Sequence, residues 1–141
     1  MLRLVVTGSR TWDEISYVWD LLDALLEEHG AVALYHGYCG RGLDAIADLW
    51  ARQRRDEVGP LVELHRVPVD RRVDGTWPAA GPRRNARMVA RFVAELVPGE
   101  PFACQAFNRN DSPGTKGCAG LAKRAGIPTT VHRYEEVVTG G

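Results

Sequence analysis

A chain of 141 residues, 45% hydrophobic and 26% charged, is the size of one globular domain, and such a chain buries about two-thirds of its unfolded surface. Eighteen basic residues balance eighteen acidic ones, which argues against a broad nucleic-acid surface. No apolar run approaches the ~20 residues of a bilayer-crossing helix, and residues 1–7 are too short for a signal sequence, so a soluble cytoplasmic protein is expected. Three scattered cysteines, Cys39, Cys104 and Cys118, fit neither a disulfide framework nor a zinc site, so reduced thiols, no metal and no cofactor are expected.

The charge is unevenly distributed. Residues 1–70 hold 12 acids and 7 bases, net −5, whereas residues 71–141 hold 6 acids and 11 bases, net +5. Arginine supplies 16 of the 18 basic residues. Its planar fork suits phosphate, although a G+C-rich coding bias produces the same excess.

Residues 2–6 form a mainly apolar run that lacks alternation and ends at Thr7-Gly8-Ser9-Arg10, the pattern of a strand covered on both faces and followed by a turn. A helix follows, with Ile15, Val18, Trp19, Leu22, Leu25 and Leu26 on its buried side. Asp13 or Thr11 is expected to cap its start, and Gly30 to stop it. The pattern repeats with a strand at residues 31–35, a loop from Gly37 through Gly42, and a helix marked by Leu43, Ile46, Ala47 and Trp50 that closes at Gly59-Pro60.

Residues 61–69 carry Glu63, His65, Arg66 and Pro68 among apolar side chains, so this third strand belongs at or near a sheet edge. Residues 70–82 show no helical period and read as a long functional loop. Pro82 then enters the first turn of a helix whose expected buried stripe is Ala86, Val89, Ala90, Val93 and Leu96. A fourth strand at 102–107, a short helix carrying Cys118, Leu121, Ala122 and Ala125, and a fifth strand at 129–132 complete the pattern. Residues up to 135 are expected to form one domain, with a loose tail at 136–141. Regular βα alternation predicts an α/β, Rossmann-like fold: a parallel five-stranded sheet with helices on both faces.

In such a sheet the strand-to-helix loops emerge at one edge, where ligands settle at the reversal of strand order. Helix starts there offer unpaired N–H groups and partial positive charge to phosphate oxygens. Four loops supply the candidate binding residues. The first offers Gly8, Ser9 and Arg10. The second offers Gly37, Gly40 and Asp44, the last as a helix cap or a ribose-hydroxyl partner. The third offers Gly81, Arg83, Arg84 and Asn85, its two arginines disfavoured by the helix dipole unless an anion is present; the less exposed arginine is the functional choice. The fourth offers Ser112, Gly114 and Thr115. Each loop read alone is equally an ordinary turn.

Taken together, Gly8-Ser9-Arg10, His36-Gly37 through Gly42 with Asp44, Ala80 through Asn85 followed by Met88, and Gly114-Thr115 with Ala122, Ala125, Gly126, Ile127 and Pro128 resemble the SLOG superfamily. The resemblance is to its small YspA-like branch of bacterial and phage proteins, and it covers nearly the whole chain. It implies a Rossmann-like fold, binding of a nucleotide or nucleotide-derived molecule such as an ADP-ribose or NAD relative, and a homo-oligomer. The wider superfamily includes "lonely guy" phosphoribohydrolases, which use an arginine and a glutamate around a Pro-Gly-Gly-x-Gly-Thr-x-x-Glu motif. Here Ser112-Pro113-Gly114-Thr115-Lys116-Gly117-Cys118 lacks the doubled glycine and the glutamate, so hydrolase activity is left open, with Asp44 or Asp111 as substitute acid or base.

The leading expectation is therefore a sensor or sequestering protein for a nucleotide-derived small molecule. The alternative is an enzyme cleaving an N-glycosidic or phosphate bond in such a ligand. Single-stranded DNA binding ranks below both, because the aromatics form no stacking platform. His36 reads as a structural hydrogen-bonding residue, and Cys39 lacks a neighbouring base. Trp77 either stacks on a base or plugs its loop onto the domain, while Trp12 and Trp50 read as packing residues.

Overall fold

The computed structural model describes residues 1–134; the expected tail at 136–141 lies outside the described residues. Five strands, β1 (Leu2–Gly8), β2 (Val32–His36), β3 (Val62–Arg66), β4 (Phe102–Arg109) and β5 (Thr129–Tyr134), form one parallel sheet in the order β3-β2-β1-β4-β5. Five helices connect them: α1 (Ile15–His29), α2 (Leu43–Val58), α3 (Arg71–Asp74), α4 (Ala80–Ala94) and α5 (Pro113–Arg124). The fold is the expected Rossmann-like α/β arrangement. The third strand indeed lies at an edge.

Strand β1 shows why its sequence is apolar without alternation. Leu2, Leu4 and Val6 face α1 and α2, packing with Val18, Leu22, Leu43, Ala47 and Trp50. Val5 faces the other side, with Tyr35 and Cys104, against Met88 and Phe92 of α4 and Cys118 and Ala122 of α5. Both faces are thus dry, as a parallel sheet between two helical layers requires.

Helix ends follow the glycines. Gly30 adopts a left-handed φ of 74° and its N–H returns to the Leu26 carbonyl, so α1 stops there. The expected cap at the start of α1 is absent: neither Thr11 nor Asp13 caps it, and Glu14 occupies the cap position without a side-chain bond. The chain enters this helix through Trp12 instead, which is buried against Phe107 and Tyr134.

Two expectations in the third connection are corrected. Residues 71–74 form the one-turn helix α3, because the Asp70 carboxylate accepts from the Arg72 N–H and starts it. Buried Asp74 then locks this turn onto α4: its carboxylate accepts from Arg87 at 2.7 Å and from the Asp70 N–H at 2.8 Å. The hydrogen bonds from Arg87 and the Asp70 N–H hold the Asp74 carboxyl down at about 2. The stripe of α4 is also rotated from the expected one. Val89 is buried as expected and Leu96 is partly buried against the core, but Ala86, Ala90 and Val93 are exposed, and Met88 and Phe92 are buried in their place. Both phases satisfy helical spacing, and the one that buries more side-chain surface wins.

Candidate functional site

The strand order reverses between β1 and β4, so the loops after them diverge and leave a crevice. A cavity of about 590 Å³ lies there, within the roughly 300–1,000 Å³ range of small-molecule sites. The ends of β1 and β2 form its floor, and the starts of α2, α4 and α5 surround it. None of these three helices has a side-chain cap at its N-terminus. Backbone carbonyls nevertheless take the Leu43 N–H of α2 (from Ser9, 3.2 Å) and the Ala80 and Arg83 N–H groups of α4 (from Thr76 and Ala79, 3.0 and 3.1 Å), so the helix dipoles and the start of α5 are what the cavity offers an anion.

Helix periodicity selects the lining side chains. On α4, Gly81, Arg84, Asn85 and Met88 share one face at spacings of three and four and line the cavity. Arg83 lies about 100° away around the helix; it is exposed and donates to the Asp74 carbonyl at 3.4 Å. The less exposed arginine is thus Arg84, the one that lines the cavity. Its Nη1 donates to the Gly37 carbonyl and its Nε to Asn85 Oδ1 at 2.9 Å. The close approach to β2 requires a glycine: a Cβ at Gly37 would fall 2.5 Å from the Arg84 guanidinium carbon.

On α5 the same logic holds for Gly114, Gly117, Leu121 and Arg124, which line the cavity from one face. A Cβ at Gly114 or Gly117 would meet only open space. Thr115 is buried and donates to Ser112 Oγ at 3.4 Å, and the Ser112 N–H is held by Asn108 Oδ1 at 2.7 Å. The helix start is therefore fixed by groups that leave its next N–H groups uncapped.

Asp44 sits in the first turn of α2, 7% exposed. Its Oδ2 accepts from the Cys39 N–H at 3.1 Å. Burial pushes its carboxyl above the ordinary aspartate value, against the pull of His36, that N–H, Arg84 and Arg10. Asp44 is the acidic side chain of the lining, facing the three arginines Arg10, Arg84 and Arg124. The walls accordingly favour an anionic occupant.

Ten of the thirteen residues singled out in the sequence line this cavity: Gly8, Arg10, Gly37, Asp44, Gly81, Arg84, Asn85, Ser112, Gly114 and Thr115. Ser9, Gly40 and Arg83 are not among the lining residues. Ser9 is buried and ties β1 to β4, its Oγ accepting from the Arg109 N–H at 2.8 Å. Gly8 also serves packing: a Cβ there would stand 2.4 Å from Leu43 Cβ. Asp111 is exposed and pairs with Lys116 at 3.3 Å, outside the cavity. Sequence reasoning passed over Arg124 and Gly117, although their spacing from Gly114 and Leu121 marks them as one helical face.

A family model described as "YspA, cpYpsA-related SLOG family" matches residues 2–61, the part that carries the first two loops. The Gene 61 protein of Mycobacterium phage D29 is similar over far more of the chain, at 40% identity across 134 residues, 91% of this chain and 94% of the phage protein. The chain belongs to the YspA-like SLOG family. No solved structure matches it. The YspA-like assignment accords with the placement of the glycine-rich loops: those after β1 and β2 fall inside the family match and bound the cavity just described.

Proposed function

We propose that this YspA-like protein binds a nucleotide-derived small molecule in the cavity at the strand-order reversal, as a sensor or sequestering protein. The observation that carries this reading is the convergence of Arg84, the start of α5, which has no side-chain cap, and Asp44 on one cavity. Arginine and helix N-termini hold phosphate oxygens. Asp44 and Asn85 offer an acceptor and an amide to ribose hydroxyls. SLOG membership supports a nucleotide-related ligand. Calorimetric titration with AMP, ADP-ribose and NAD is expected to show saturable binding of at least one of them, whereas inorganic sulfate at the same concentration shows far weaker binding. Silence across all three nucleotides overturns the proposal.

One observation favours a second reading, hydrolysis of the bound ligand. A buried carboxyl lining the cavity, its proton held more tightly than usual, is suited to proton transfer. Asp44→Asn separates the two readings. Under hydrolysis, the variant retains ligand but releases no base or phosphate, as read by chromatography after incubation. Under simple binding, the wild-type protein itself leaves the ligand intact.

The same variant has a stability signature in either case. The folded-state pKa of Asp44 is raised, so the contribution of this carboxyl to stability is fully present below its unfolded value and is lost as pH rises through the folded value. At neutral pH the buried charge is a cost that asparagine does not carry. Asp44→Asn is therefore expected to melt higher than wild type at neutral pH, the gap closing on acidification. A lower melting temperature at neutral pH contradicts this.

A further inference from the structure

Among the four tryptophans, Trp77 stands apart. Trp12 and Trp50 are buried and Trp19 is packed against the core, but Trp77 is 52% exposed and lines the cavity. It sits just before α4, with its ring edge against Gly81, where a Cβ would fall 2.7 Å from the indole. Across the ring face lies Arg10, from the loop after β1, its guanidinium carbon 4.9 Å from the ring centroid. Among the described residues no carboxylate lies within ion-pairing distance of Arg10. Two loops that belong to different strands thus meet at the cavity through one contact between a cation and an aromatic face.

We infer that Trp77 is the seat for a flat aromatic ring of the ligand and that Arg10 is a clasp covering this seat until an anion draws it away. This rests on the reading of the cavity as a nucleotide site and narrows it: the ligand carries both an aromatic base and a phosphate. A guanidinium binds a phosphate through charge-assisted, two-pronged hydrogen bonds, a stronger attachment than an exposed indole face offers. When Arg10 turns to the phosphate, the indole face is freed for the base. The edge contact at Gly81 keeps the ring plane fixed during the exchange. Gly81 precedes Arg84 by three residues on one face of α4, so the Trp77 ring and Arg84 line the same side of the cavity from successive turns.

The test compares AMP, which has both groups, with ribose 5-phosphate, which lacks the base, on wild type, Trp77→Ala and Trp77→Phe. AMP is expected to bind more tightly than ribose 5-phosphate to wild type and to change a fluorescence component that Trp77→Phe lacks. Trp77→Ala weakens AMP about 10-fold, leaves ribose 5-phosphate within about 2-fold, and Trp77→Phe restores most of the AMP affinity. In the free protein, Arg10→Ala makes the Trp77 emission more easily quenched by acrylamide, a readout independent of any ligand. Circular dichroism and melting of each variant verify folding. Ribose 5-phosphate bound as well as AMP, or both weakened equally by Trp77→Ala, overturns the inference and leaves the cavity reading intact. Absence of binding by both probes overturns the inference, and the cavity reading falls with it when ADP-ribose and NAD are silent as well; unchanged quenching in Arg10→Ala overturns the clasp.

Discussion

Replacing Asp48 with alanine is expected to destabilise the protein by about 3 kcal/mol, the low end for breaking a buried ion pair, and to weaken ligand binding at a cavity that Asp48 does not line. Asp48 is 4% exposed on the second turn of α2. Its Oδ1 accepts from His36 Nε2 and Arg66 Nε, each at 2.8 Å, and its Oδ2 from Arg52 Nε and Arg66 Nη2, each at 3.0 Å. His36 accepts the Tyr38 N–H at Nδ1 over 2.9 Å, which assigns its proton to Nε2 and makes it a donor to Asp48. Arg66 in turn covers the Tyr38 ring at 4.5 Å.

One carboxylate thus joins α2, the end of β2 and the edge strand β3, and fixes the loop that delivers Gly37 and Cys39 to the cavity. Without it the His36 N–H is left unpaired in a fully buried position. The arginines are half-exposed and turn to water, which is why the cost stays at the low end. Burial opposes the charge of Asp48, but the bonds from Arg66 and His36 prevail and hold its carboxyl below the ordinary value. Its stabilising effect is accordingly present above the unfolded aspartate value and lost as pH falls through the folded one. Urea denaturation of Asp48→Ala and Asp48→Asn measures the loss, with asparagine intermediate; a loss under about 1 kcal/mol for alanine contradicts this account.

The sheet was legible because its determinants are local. Mainly apolar runs without alternation mark strands covered on both faces, and Gly30 and Gly59, both at positive φ, mark the helix ends. Polar residues and Pro68 betray the edge position of β3. What stayed hidden was phase. On α4, Ala86, Ala90 and Val93 fit a helical stripe around Val89 as well as Met88 and Phe92 do, and only the volume to be filled beneath the helix decides between them.

The same rotation separates Arg83 from Arg84, so that adjacent residues of identical chemistry have different surroundings. Glycine carries a similar ambiguity. Gly8 and Gly37 are small because neighbouring protein groups press on them, whereas Gly114 and Gly117 face open space inside the cavity. In the sequence all four read alike. Ser9 looked like a ligand hydroxyl for the same reason, yet its contacts bind two strands together.

Arg84→Gln is expected to weaken AMP binding by about 2 kcal/mol, roughly 30-fold, the scale of a lost charge-assisted hydrogen bond. Lysine at this position recovers only part, because a point charge cannot reproduce the fork. Arg84 also acts as a strut, since its Nη1 donates to the Gly37 carbonyl and its Nε to Asn85. A loss of binding in Arg84→Gln alone therefore mixes two effects.

Gly37→Ala separates them. The added Cβ, 2.5 Å from the guanidinium carbon, displaces the far end of a flexible side chain while keeping its charge. If placement of the guanidinium matters for the ligand, Gly37→Ala weakens AMP binding with little change in melting temperature. The double variant is then no worse than Arg84→Gln, the non-additivity expected when two changes act through one group. If Arg84 is only a strut, both single variants lower the melting temperature and neither changes the affinity of the folded protein. Calorimetry and thermal melts on the three variants decide between these patterns.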